Sequence, residues 1–156
     1  ISTFEFDAFA TSHFEKNLNF SVVPKFKKFD MIFSGNFSSM KHFLDDNNDN
    51  FSDIPLSNRI SLFNKWSFKR MSDKTLSFSA KYYNEDRSGG EKEWRQDYRG
   101  SDSIYGESIF TDRFEFIGSY QLPTNEDIRL DISFNYHHQD AFYADTKYEA
   151  NASLRD

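Results

Sequence analysis

The stretch DDNNDNFSD, residues 45–53, crowds four aspartates and three asparagines into nine positions. Asp45, Asn47 and Asp49 stand at positions one, three and five. Phe51 offers its backbone carbonyl at seven, and Asp53 stands at nine. Hard oxygen ligands at alternating spacing are what calcium takes. Asn50 occupies the sixth position, where calcium loops use glycine for a sharp turn, and Asn tolerates left-handed backbone better than most residues. Position twelve is Leu56, so the bidentate Glu of a helix-flanked calcium loop is missing. The pattern therefore fits a short loop of the D-x-D-x-D-G-x-x-D kind joining two strands, for which affinities of about 10⁻⁴–10⁻³ M suffice. The same residues also make an ordinary solvated acidic turn, and both readings stand.

A second group is Trp94, Arg95, Tyr98, Arg99 and Tyr105. Aromatic and Arg side chains on a loop are good contacts for a ligand or partner. They serve equally to pack one loop against its neighbours or against an internal plug. His137 and His138 are adjacent, so on a strand they point to opposite faces and do not share one metal. Ser88-Gly89-Gly90 reads as a turn, because no helix follows it to cradle a phosphate. No nucleophile, metalloprotease or phosphate-loop motif is present, and no carboxylate pair is singled out by spacing. No enzyme is expected.

The elements that must position these residues are strands. Phe4, Phe6, Ala8 and Ala10 alternate with Thr3, Glu5, Asp7 and Thr11 in a segment read to Phe14. The same period of two recurs around Leu18–Phe26, Ile60–Phe68, Leu76–Tyr82, Phe114–Leu122 and Ile128–Tyr136. Alternation of this kind gives a strand with one apolar and one wet face. About six strands result, each near the roughly 9–11 residues of a tilted membrane crossing. Phe9, Phe63 and Ile117 interrupt the polar face. Connections at 15–17, 71–74 and 123–127 read as tight turns. Between them long segments run from about 30 to 58, from about 84 to 108, and from about 137 to the end, a layout that puts short turns at one end of the strands and long loops at the other.

Composition restricts what such strands can build. Phe, Trp and Tyr make up 19% of the chain, with 19 Phe, while the hydrophobic fraction is 37%. Aliphatic partners for a standard core are scarce. The polar strand faces carry Glu5, Asp7, Lys25, Lys27, Lys65, Lys69, Lys81, Arg113, Glu115, Arg129 and Asp131. That many ionised groups cannot line a small dry core, but they suit bulk water or the hydrated lumen of a wide barrel. Trp66, Tyr82, Tyr120 and Tyr136 are read near strand ends, where aromatic belts of membrane barrels lie. The formal net charge of -6 argues against nucleic acid. The absence of cysteine excludes disulfides and thiolate metal sites. No apolar run of about 20 residues exists for a membrane-spanning helix. The chain opens on Ile1 in mid-pattern, as expected of an internal piece of a longer protein whose targeting segment lies upstream.

The stretches NRISLFNKWSFKR (58–70), YNEDRSGGEKEW (83–94), YGESIFTDRFEFIGSYQLPT (105–124) and LDISFNYHHQDAFY (130–143) together resemble the barrel of TonB-dependent outer-membrane receptors of the Bacteroidetes type. The resemblance implies an all-β fold: an antiparallel transmembrane β-barrel segment, part of a plugged barrel of about 22 strands. Residues 1–156 would then be a partial barrel domain, with the plug and remaining strands outside this chain. It implies energy-coupled import of a scarce nutrient such as an iron chelate, a cobalamin or a glycan, in the outer membrane of a Gram-negative bacterium. Implied partners are outer-membrane lipid, the plug of the same protein, the energy-coupling TonB protein through segments not in this chain, and a surface lipoprotein. The alternative is a soluble, calcium-stabilised antiparallel β-sandwich acting as an adhesion module.

Overall fold

The computed structural model describes residues 3–70, 74–124 and 126–155. Eight strands run in chain order through one antiparallel sheet: β1 (Thr3–Ala10), β2 (Lys16–Val23), β3 (Phe29–Met40), β4 (Leu56–Phe68), β5 (Leu76–Gly90), β6 (Gly106–Gln121), β7 (Arg129–Tyr143) and β8 (Thr146–Arg155). The all-β expectation holds, with eight strands instead of about six. No helix among the described residues is long and apolar enough to cross a membrane.

The two added strands are β3 and β8. β3 alternates Phe29, Met31, Phe33 and Phe37 against Asp30, Ser34, Asn36 and Ser38, but Ile32 interrupts its polar face and Gly35 leaves a gap on its apolar face. The gap is filled from the neighbouring strand. A Cβ on Gly35 would lie 2.5 Å from the Phe20 ring, which crosses over it. A weak pattern in one strand is thus completed by an aromatic side chain of the next.

Finding β3 moves the first turn to the other end of the sheet. The first tight connection, at 11–15, is closed by Thr11 N–H donating to Glu15 O, with Phe14 in left-handed backbone (φ 64°). It lies at the same end of the sheet as the long connections 41–55 and 91–105, not at the opposite end as the sequence suggested. β1 also stops at Ala10, short of Phe14. The turn expected at 71–74 has its first three residues outside those described, and the turn at 123–127 has Asn125 there. Ser88-Gly89-Gly90 is not a turn. It ends β5, paired with β6 in the register Gly90↔Gly106.

One face of the sheet is apolar over most of its extent. Consecutive registered rows on β5, β6 and β7 read Leu76–Tyr120–Leu130, Phe78–Gly118–Ile132, Ala80–Phe116–Phe134 and Tyr82–Phe114–Tyr136. The rings interlock across strands. Trp66 lies 5.0 Å from Phe29 and 6.1 Å from Phe78, and Phe78 lies 6.4 Å from Phe116, centroid to centroid. Such cross-strand pairs contribute roughly 0.2–1 kcal/mol each. Nothing covers them. Met40 and Ala141 are the only buried hydrophobic residues described, whereas Phe4 is 65% exposed, Leu130 58% and Ile132 48%. A sandwich would bury this face against a second sheet, and among the described residues there is none.

The opposite face is mostly polar on β1 to β7, but β8 reverses the pattern and places Tyr148, Ala150, Ala152 and Leu154 on it. The face carries a ladder in which Asn19 donates to Asp7 and Asn17, and Asn36 donates to Asn17 and Asn19. Phe9, Phe63 and Ile117 sit on this face, as their period requires.

Candidate functional site

The site is a cap built by the two long connections. β3 leaves the sheet and β4 re-enters at the same end where β5 leaves and β6 re-enters, so 41–55 and 91–105 emerge side by side. Backbone hydrogen bonds join them. Ser52 N–H donates to Gly90 O (2.9 Å), Lys92 N–H donates to Asn50 O (3.0 Å), and Phe51 bridges Glu91 in antiparallel fashion. Gly90 N–H donates in return to Ser52 Oγ at 3.0 Å. Gly90 has φ 140°, and a Cβ there would stand 2.5 Å from Tyr105 O, so only glycine lets the strands meet where the loops begin.

The acidic loop is tied to itself. Asp45 accepts the N–H groups of Asp49 and Asn50, both at 3.1 Å. Asn47 accepts from Asp49 N–H at 3.0 Å, and Asp49 accepts from Phe51 N–H at 2.9 Å. Asp53 accepts from Asp46 N–H at 2.6 Å. Asn50 has φ 71° and Asn48 φ 60°, the left-handed backbone that Asn tolerates. Hydrogen bonds here do what calcium coordination would do, fixing the turn through the same oxygens. Among the described residues, no three His, Asp or Glu side chains gather as a metal-holding group. Asp45, Asn47, Asp49 and Asp53 thus spend side-chain oxygens on backbone and side-chain donors of the same loop.

The aromatic and Arg residues expected to face a ligand divide into three places. Arg99 folds back onto the sheet. Its guanidinium lies over the rings of Phe110 (4.1 Å) and Phe142 (4.4 Å), and its Nε donates to Ser108 Oγ at 2.8 Å. Its Nη2 donates to Asp140 O at 3.1 Å and sits 3.3 Å from Asp140 Oδ1, and its Nη1 donates to Asp140 Oδ2 at 3.4 Å. Ser108 is 1% exposed. This arrangement is a clasp between the loop and β6–β7. Tyr98 ends the short 3-10 turn Gln96–Tyr98 that leads into it.

Tyr105 stands at the rim. Its hydroxyl donates to Glu107 Oε1 at 2.7 Å, and that bond raises the phenol's pKa above its ordinary value. Its ring lies 6.1 Å from Phe51, so it ties the two loops together. Trp94 and Arg95 are the two that come together, on the wall of a pocket between the loops. Trp94 lies on Gly106, where an added Cβ would be 2.2 Å from its ring. Lys41, Phe43 and Lys92 join that wall, and Asp140, Ser108, Phe110 and Phe142 join the clasp. None of these had a local sequence signal, because loop closure and strand register, not a repeating pattern, bring them together.

His137 and His138 lie on opposite faces, as adjacent strand residues must. His138 pairs through its ring with Asn151 of β8. Compared with family models, curated proteins and solved structures, the chain matches none of them.

Proposed function

We propose that this chain is part of the wall of an outer-membrane β-barrel receptor that imports a scarce nutrient with TonB-coupled energy, with its two-loop cap on the outside of the cell. The observation that carries the reading is the apolar band on one sheet face. On β5–β7 the band runs from the Leu76–Tyr120–Leu130 row to the Tyr82–Phe114–Tyr136 row, and the next row, Asn84–Asp112–His138, is polar. Trp66 and Tyr120 border it near one edge, and Tyr82 and Tyr136 border it at the other. Tyr82 and Tyr136 lie in mid-strand, not near strand ends, because their strands run on past the band toward the loops. Aromatic girdles on either side of an apolar belt are how barrels meet the two lipid interfaces.

The band is one row deeper on the other half of the sheet. Ile60, Phe37, Leu18 and Ala8 extend it on β4 to β1 in the row whose continuation on β5 is Asn84. Its other border on β3 and β4, Phe29–Phe68, stays level with Leu76.

The reading requires more strands. β1 and β8 are each paired on one side only, and an open edge in hydrocarbon costs several kcal/mol per unpaired backbone group. Further strands of the same protein would close the wall around a plug, with the polar face toward the lumen. This part would do no covalent chemistry. Its loops would meet the nutrient, and a surface lipoprotein would sit over them.

Fractionation tests the proposal. The protein should sediment with the outer membrane, resist salt and carbonate, and dissolve in detergent. A monomer that stays in the soluble pool and folds in plain buffer would end this reading.

A further inference from the structure

We infer that the pocket between the two long loops is a binding site for a small organic anion bearing a carboxylate. The inference rests on the receptor reading only for which side of the membrane the pocket faces. Its volume is about 530 Å³, within the range of roughly 300–1,000 Å³ typical of small-molecule sites. Its wall brings together Lys41 from the first loop and Lys92 and Arg95 from the second, against one carboxylate, Glu91. The chain as a whole has a net charge of -6. A concave patch with three cations to one anion is therefore a local reversal of the field around it, and such a patch concentrates anions.

The charges are also uncommitted. Neither Lys41 nor Lys92 is in an ion pair among the described residues. Glu91 accepts Tyr105 N–H at 2.9 Å, so its one negative charge is partly spent on the loop. Arg95 is pinned by its Nη1, which donates to Lys92 O (2.8 Å) and Trp94 O (2.7 Å). This fixes the direction of the guanidinium while its other nitrogens stay available, the preorganised state that makes Arg a good carboxylate binder. Trp94 and Phe43 supply apolar wall between the cations. A ligand with a carboxylate at one end and an apolar ring face at the other satisfies both parts. Gly89 and Gly90, which carry no side chain, are part of its lining.

Calorimetry on the detergent-solubilised full-length protein tests this with D-glucuronate, citrate and D-glucose. Saturable heat with glucuronate or citrate, and at least tenfold weaker binding of glucose, is the expected result. Binding of both acids points to any compact carboxylate, and binding of glucuronate alone points to a sugar acid. The double variant Lys92→Gln/Arg95→Gln should lose at least tenfold in affinity, while Lys92→Arg keeps it, and affinity should fall as salt rises. Glucose binding as tightly as glucuronate, no binding of either acid, or an unchanged double variant in folded protein would overturn the inference. The fractionation result is read separately. Membrane-borne protein that ignores carboxylates ends only this site, and soluble protein that binds them ends only the barrel.

Discussion

The apolar face of the sheet differs sharply between its two halves. Over the half nearer the short connections after β4 and β6, rows such as Phe78–Gly118–Ile132 and Ala80–Phe116–Phe134 are hydrocarbon. Over the half nearer the cap, the same face of the same strands carries Asn84, Asp112, His138 and Asp140. There Asn84 donates to Asp112 and Arg99 is clasped by Asp140. Backbone geometry is continuous across the boundary, so the change lies in the side chains alone. On the proposed barrel reading, one half meets a medium that offers no hydrogen bonds, and the other satisfies its polar groups internally or in water.

The largest effect should come from putting a charge into the lower half. Phe116→Arg should cost about 2–4 kcal/mol if lipid covers that row. Asn84→Arg, on β5 beyond the band and next to Asp112, should stay within about 0.5 kcal/mol. Folded protein recovered from the outer-membrane fraction compares the two, and equal recovery would erase the boundary.

The next effect belongs to the clasp. Arg99→Ala leaves the half-buried Asp140 without its cation and strips the facing rings of Phe110 and Phe142. A loss of about 1–3 kcal/mol is expected, confined to residues 91–105 and β6–β7. Hydrogen exchange should show those amides opening while the lower half keeps its protection. A uniform loss of protection would mean that the two halves are one cooperative unit.

A smaller change is expected at the acidic loop. Asp45→Ala removes the acceptor for the Asp49 and Asn50 amides and should cost about 1 kcal/mol of local order. Faster exchange of those amides in chelator and in millimolar calcium alike is the outcome expected of a loop held by its own hydrogen bonds. A calcium-dependent difference between variant and parent would place the ion at Asp45, Asn47, Asp49, Phe51 and Asp53.

The smallest effect lies at the turn end. Lys74 donates to Asp127 at 3.0 Å, and that bond, with the nearby ammonium charge, lowers the carboxyl's pKa below its ordinary value. The tie is therefore complete above the ordinary carboxylate range and is lost as pH falls through the lowered value. NMR titration should find Asp127 protonating at lower pH than a free Asp, and Lys74→Gln should move it back up.

The strands that were legible in the sequence are those whose alternation is unbroken. β5 and β7 carry a clean period of two as far as Tyr82 and Tyr136, and there their faces could be assigned residue by residue; beyond, where the residues turn polar on both faces, the strands run on to Gly90 and Tyr143 through stretches that read as loop. β3 was hidden because Gly35 depends on Phe20 of another strand for its apolar contact. Missing one strand also inverted the end assigned to the 11–15 turn, since each added antiparallel strand reverses direction. The pairing of Arg99 with Asp140 and the meeting of Lys41 with Arg95 could not be read at all, because loop side chains meet through closure and not through period.

What the sequence determined by itself is the division of side chains between two faces, because strand geometry sends neighbours to opposite sides whatever lies around them. Register between strands decided the rest. It lined up the apolar stretches of β1 to β7 into one band, left β8 with Lys147, Glu149, Asn151 and Ser153 on that face, and set two distant loops side by side, and no local pattern encodes which residue sits opposite which.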